Sequence, residues 1–292
     1  MKHLRPTQGS PASAAAARGG FTLVELLTVI AIVAVLAAIL LPTLSNARER
    51  SNGMFCLNNT RQLTMAWLVY GEDHEGGLPY NLTMTEVSGR TNINWVNNVM
   101  SWDALPNSDN TNLATITKAA LGPYADNPSI YHCPSDRALS PAQRAASWPQ
   151  RIRSYAMNAM VGDGGPATAS GANINNPGYK QFLKIEQIPR PTEILVFLDE
   201  NADSIDDGCF LNKVPVSGGY TWNDLPAAYH NRAGAISFAD GHAALHIWTR
   251  GTTFRPSMTP GVNLPTQNPD PNAGDNPDFD WVIDHMSIAQ GH

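Results

Sequence analysis

The chain has 292 residues, 19 Lys+Arg against 25 Asp+Glu, and a formal net charge of −6. An acid excess of this kind argues against a partner built on a phosphate backbone, so no nucleic acid is expected. The length suits one helical anchor plus one elaborate globular domain, or two small ones, and 23 Gly and 22 Pro forecast many turns.

Residues 1–20 carry Lys2, Arg5 and Arg18 and no acid, which places them on the cytoplasmic side by the positive-inside rule. From Phe21 to Leu41 the one ionisable side chain is Glu25. At about 1.5 Å per residue this run covers roughly 30 Å, the hydrocarbon thickness of a bilayer. A soluble helix shows a polar face at i+3 and i+4, and Leu26 to Leu41 shows none. A secretory signal peptide places its small residues after a shorter apolar run, whereas here Gly19 and Gly20 come before a longer one. A plain signal anchor explains the length but not Glu25, a carboxylate that costs a few kcal/mol near lipid unless it meets a partner.

Gly20, Phe21, Thr22, Leu23, Glu25 and Pro42 together resemble the type IV prepilin signature. That family has a short basic leader, Gly at the last leader position, Phe first in the mature chain and Glu fifth. The resemblance implies that a prepilin peptidase cleaves between Gly20 and Phe21 and methylates the new amine. It also implies that Glu25 pairs with the amine of a neighbouring pilin-like subunit during assembly. Loss of the three basic leader residues would move the formal charge from −6 to −9.

After Pro42 helical residues resume at once, so the proline is expected to kink the helix rather than end it. Cys56, Leu63, Trp67 and Tyr70 recur as one stripe, with Arg48, Glu49, Arg50, Asn58, Asn59 and Arg61 available for the wet side. One helix is therefore predicted from about Phe21 to Tyr70, stopped by the polar run 72–77. Residues 78–131 read as loop-rich, with a short helix within 111–121 and with Trp95, Trp102 and Tyr124 as packing residues. Strands are expected over 153–158 and, as a buried central strand, over 193–199. Residues 234–239 and 242–248 read as a hairpin closed by Asp240-Gly241 in a two-residue type I′ turn. The tail from Arg255 reads as mostly irregular, with an ordered piece around 281–286.

A second resemblance covers the rest of the chain. Cys56 with Asn58-Asn59 and Arg61-Gln62-Leu63, Cys133-Pro134-Ser135-Asp136, Ser154-Tyr155 with Asn158, and His230 followed after nine residues by Asp240-Gly241 are similar to a group of bacterial prepilin-like proteins. The C-terminal domain of that group has no assigned biochemical role. An exported domain meets an oxidising compartment, yet three cysteines cannot all pair in one chain. Cys56 and Cys133 fall in the resembling segments, so a Cys56–Cys133 disulfide with Cys209 free is expected. Cys133–Cys209 and three reduced thiols remain the alternatives.

His230, Asp240, His242 and His246 invite a metal reading, but the preferred one has His230 bonding the Asp-Gly turn and the others on a solvated face. Asp199, Asn201 and Asp203 match the first half of a calcium loop, after which Ser204 and Phe210 stand where Gly and Glu are needed. The resemblance implies calcium as a candidate, since major pseudopilins carry it near the C-terminal end of the domain, but the preferred reading of these residues is a solvated acidic loop with no cofactor. No nucleophile elbow, phosphate loop or zinc-protease helix is present in the sequence, and no enzyme is expected.

The expected fold is α+β and pilin-like: a long transmembrane helix continues into an amphipathic one, packed on an antiparallel sheet. The divisions are a leader (1–20), a membrane span (21–41), an amphipathic continuation (42–71) and an exported head (72–292). The expected role is a structural subunit of a type II secretion pseudopilus or type IV pilus-like filament, in the bacterial inner membrane with a periplasmic head. A membrane-anchored periplasmic hydrolase and an adhesion or binding module are the alternatives.

Overall fold

The computed structural model describes residues 22–87, 92–106, 108–165, 171–214, 222–257 and 276–290. The chain divides into two compact units, Met1–Ala47 and Arg48–His292. A single helix, α1 (Leu23–Asp73), supplies the described structure of the first and the opening element of the second. It runs through Pro42 without ending, as expected. In the first unit, Leu23–Leu41 is apolar enough and long enough to cross a membrane, and none of it is buried.

In the second unit α1 becomes amphipathic. Cys56, Thr60, Leu63, Thr64, Trp67 and Tyr70 are buried, while Arg48, Arg50, Asn58 and Arg61 stay wet. That face packs on a five-stranded sheet of β1 (Tyr155–Asn158), β2 (Leu195–Asp199), β3 (Cys209–Phe210), β4 (Ala233–Phe238) and β5 (Ala243–Ile247). The strand order is β3-β1-β2-β4-β5, so the apolar run ending in Asp199 is central, as its composition predicts. The sheet is not wholly antiparallel, because β3 pairs in parallel with β1 through Met157 and Cys209. The other three pairings are antiparallel, so the expected α+β arrangement of a long helix on an antiparallel-rich sheet is present.

A short helix, α2 (Ala114–Thr117), lies in the loop-rich region, a second, α3 (Pro141–Ala145), lies between it and β1, and α4 (Pro277–Met286) covers the other sheet face. A register shift between Leu195 and Phe197 marks a bulge in β2. Around it, Leu195 and Leu198 join the α4 cluster while Val196 and Phe197 join the α1 cluster. Asn276 caps α4 by accepting from the Phe279 amide, and Asp278 accepts from the Thr249 and Arg250 amides beyond β5.

The hairpin forms where expected but with a different turn. Phe238 donates to the His242 carbonyl at 2.9 Å and receives from the Gly241 amide at 2.9 Å, which leaves a three-residue loop, 239–241. Gly241 has φ +92, and Asp240 does not enter the left-handed region that a type I′ turn requires at both positions.

Candidate functional site

Glu25 sits in the first turn of α1. Its Oε2 accepts from the Thr22 amide at 2.8 Å and from the Thr22 hydroxyl at 2.7 Å, while the Glu25 amide donates to Thr22 Oγ1 at 3.2 Å. This is a reciprocal capping box, spelled T-x-x-E in the sequence. It satisfies amides that the helix start leaves without partners and puts a negative group at the positive end of the helix dipole. Gly20 and Phe21, the expected cleavage and methylation positions, lie outside the described residues, as does the leader.

The head gathers the other predicted residues differently. All three cysteines are free and buried. Cys56 and Cys133 do come together, with Asp199 and His230 as the other members of the group. One ligand atom from each of the four lies within 4.8 Å of the others. The expected disulfide is therefore replaced by two thiols in a mixed cluster. Cys56 Sγ lies 3.2 and 3.0 Å from the Asp199 carboxylate oxygens, Cys133 Sγ lies 3.4 Å from His230 Nε2, and that nitrogen lies 3.6 Å from Asp199 Oδ2. Tyr155 Oη is 3.0 Å from Cys56 Sγ, and the Ala235 amide donates to Asp199 Oδ2 at 2.8 Å.

Each member arrives on a separate element. Cys56 rides the buried stripe of α1, and Cys133 follows a 3-10 turn at Pro128–Tyr131. Asn59 on α1 donates to the His132 carbonyl at 3.0 Å, which ties that turn to the helix. Asp199 ends β2 opposite Tyr155 of β1, and His230 precedes β4. Burial pushes the Cys56 thiol well above its ordinary range. Burial depresses the His230 imidazolium, but its contacts with Asp199 and Cys133 outweigh that and raise it to about 10.

This placement overturns the reading of His230 as a partner of the Asp-Gly turn. Asp240 is served instead by His242, whose Nδ1 is 2.6 Å away, and His246 stacks on Trp281. The calcium reading has no shared cage behind it. Asp199 faces Cys56, Asn201 Oδ1 accepts from the Asp203 amide at 3.0 Å, and Asp203 pairs with Arg255 at 3.4 Å. Ser135 donates to Glu49 Oε2 at 3.2 Å.

Sequence reasoning missed two features. One is the use of Asp199 and Tyr155 in the cluster, although a carboxylate closing a near-continuous apolar strand was a visible signal. The other is Arg153, fully buried and donating to Asn98 Oδ1 and to the Tyr155, Asp206 and Asp207 carbonyls. Beside it, burial raises the Asp207 carboxyl to about 6 and moves Asp224 upward as well.

A family described as the prokaryotic N-terminal methylation motif matches residues 16–41. Over 33 residues the chain is 67% identical to the type IV wide pilus major component PilA4 of Thermus thermophilus, covering 11% of this chain and 25% of that protein. The match thus spans about a quarter of the curated relative's length. No solved structure matches.

Proposed function

We infer that this chain, type IV prepilin-like by its methylation motif and its pilin match, is a structural subunit of a pilus-like filament or a type II secretion pseudopilus. Prepilin peptidase cuts between Gly20 and Phe21 and methylates the Phe21 amine. The chain then crosses the inner membrane once, with its leader side cytoplasmic and its head periplasmic, until neighbouring subunits take it into the filament. The observation that carries this reading is the position of the methylation motif. Its described part from Leu23 to Leu41 is helical with an exposed apolar surface, and Glu25 is the single ionisable group between those residues.

Physical chemistry assigns Glu25 two tasks. Its carboxylate caps its own helix through Thr22, and its charge attracts the α-ammonium of a neighbour in a medium where an unpaired ion is costly. Methylation leaves that ammonium charged. Glutamine serves a capping box as well as glutamate does but carries no charge. Glu25→Gln should therefore keep membrane insertion and reduce subunit crosslinking as strongly as Glu25→Ala. Intact masses from cells with and without the peptidase test the processing. A mature chain that begins anywhere other than Phe21, or wild-type crosslinking in the Gln variant, counts against the reading.

A further inference from the structure

We propose that Cys56, Cys133, Asp199 and His230 form a closed, four-coordinate site for a zinc-type divalent cation, which fastens α1 to the sheet. In a tetrahedral zinc site with bonds of about 2.0–2.3 Å, neighbouring ligand atoms lie roughly 3.3–3.8 Å apart. The separations of 3.4 and 3.6 Å fall on those edges, that of 3.0 Å lies just under them, and all four donors fall within 4.8 Å of one another. Little movement is needed for a cation to sit among them.

The donor set chooses the metal. Two sulfurs, one imidazole nitrogen and one carboxylate oxygen suit zinc, whereas calcium and magnesium take oxygen ligands in greater number. Four protein ligands fill the tetrahedron, so the site is structural. The burial of these groups points the same way. The side chains of His230 and Asp199 are 3% and 0% exposed, and the dry carboxylate is held by the imidazole, the Cys56 thiol and the Ala235 amide.

Binding would release a proton from each thiol, and one from the imidazolium, to solvent. The resulting cation with two thiolates, one carboxylate and a neutral ring keeps a single negative charge. The Ala235 amide and the Tyr155 hydroxyl are placed to stabilise it, as outer-shell donors do. Nδ1 of His230 is buried without a hydrogen-bond partner, so Nε2 is the nitrogen presented to the cluster.

This inference does not depend on the filament reading, and its test reads metal rather than assembly. The full chain is purified in detergent, reduced, loaded with zinc, desalted and assayed for metal per chain. Cobalt substitution then reports the coordination number and thiolate ligation. The expected result is one zinc per chain, tetrahedral cobalt bands with thiolate charge transfer, and a melting temperature lowered by chelator. Cys133→Ser should lose stoichiometric metal, Cys209→Ser should keep it, and Tyr155→Phe should weaken affinity by about 10–100-fold. If Cys133→Ser does not fold, the cobalt spectrum and chelator shift of the wild-type chain still decide. A Cys56–Cys133 disulfide in protein isolated without reductant, a reduced chain that binds no zinc, or full metal content in folded Cys133→Ser overturns the proposal.

Discussion

Arg153 is the side chain on which the loops beyond the sheet converge. Its guanidinium reaches the Asn98 amide oxygen at 3.0 Å, the Tyr155 carbonyl at 2.7 Å, and the Asp206 and Asp207 carbonyls at 3.1 and 2.6 Å. Burial holds its pKa below the usual arginine range, and Glu200 and Asp207 pull it back up. Charge-assisted bonds to carbonyls inside a core are worth about 1.5–3 kcal/mol each, and a carbonyl left dry costs a comparable amount. Arg153→Met should therefore destabilise the head by about 3 kcal/mol or more. Arg153→Lys should not restore it, since a single ammonium cannot span acceptors spread across a planar fork. Urea unfolding of both variants gives the numbers. A lysine variant within about 0.5 kcal/mol of wild type would show that charge, not geometry, matters at this position.

At the scale of elements, α1 carries the head through one face. Trp67 is fully buried against the sheet, whereas Met65, two residues away, is 48% exposed. Trp67→Ala should cost about 3–5 kcal/mol, and Met65→Ala should stay within about 0.5 kcal/mol of wild type. Equal losses in urea unfolding would mean that the helix packs differently. That stripe was legible because helical periodicity is a local signal, and so was the buried strand ending in Asp199. What was not legible depends on pairing between distant segments. β3 is two residues long, so nothing in Cys209-Phe210 announces a parallel partner. The Asp-Gly pair signals a hairpin, yet loop length follows from where Phe238 and His242 meet, not from the dipeptide. Asp199, Asn201 and Asp203 read as one loop in sequence. The end of β2 separates them, sending Asp199 toward α1 and Asn201 into a local turn with the Asp203 amide. Cys56, Cys133 and His230 stand in separate sequence motifs, and only the packing of α1 on the sheet brings them to one point.

At the scale of the whole molecule, the two compact units carry opposite surfaces. Leu23 to Leu41 exposes apolar side chains along the helix, while both hydrophobic clusters of the head draw on residues from Cys56 onward. A cut before Arg48 thus removes the apolar helix and leaves every buried cluster its full membership. The shortened chain keeps 16 of the 19 basic residues and 24 of the 25 acidic ones, a formal charge of −8 that favours solubility. The new helix start loses its cap, which costs about 1 kcal/mol and frays the first turn. Burial on this helix begins at Gly53, so the frayed turn lies outside the core. Residues 48–292 should therefore purify without detergent and unfold in urea in one cooperative transition. They should also bind zinc with the same stoichiometry as the full chain, because all four ligands lie beyond the cut. Aggregation of this fragment, or a broad non-cooperative transition, would mean that the head takes part of its stability from the residues before Arg48. The filament reading would then need a helix that holds the head together as well as crossing the membrane.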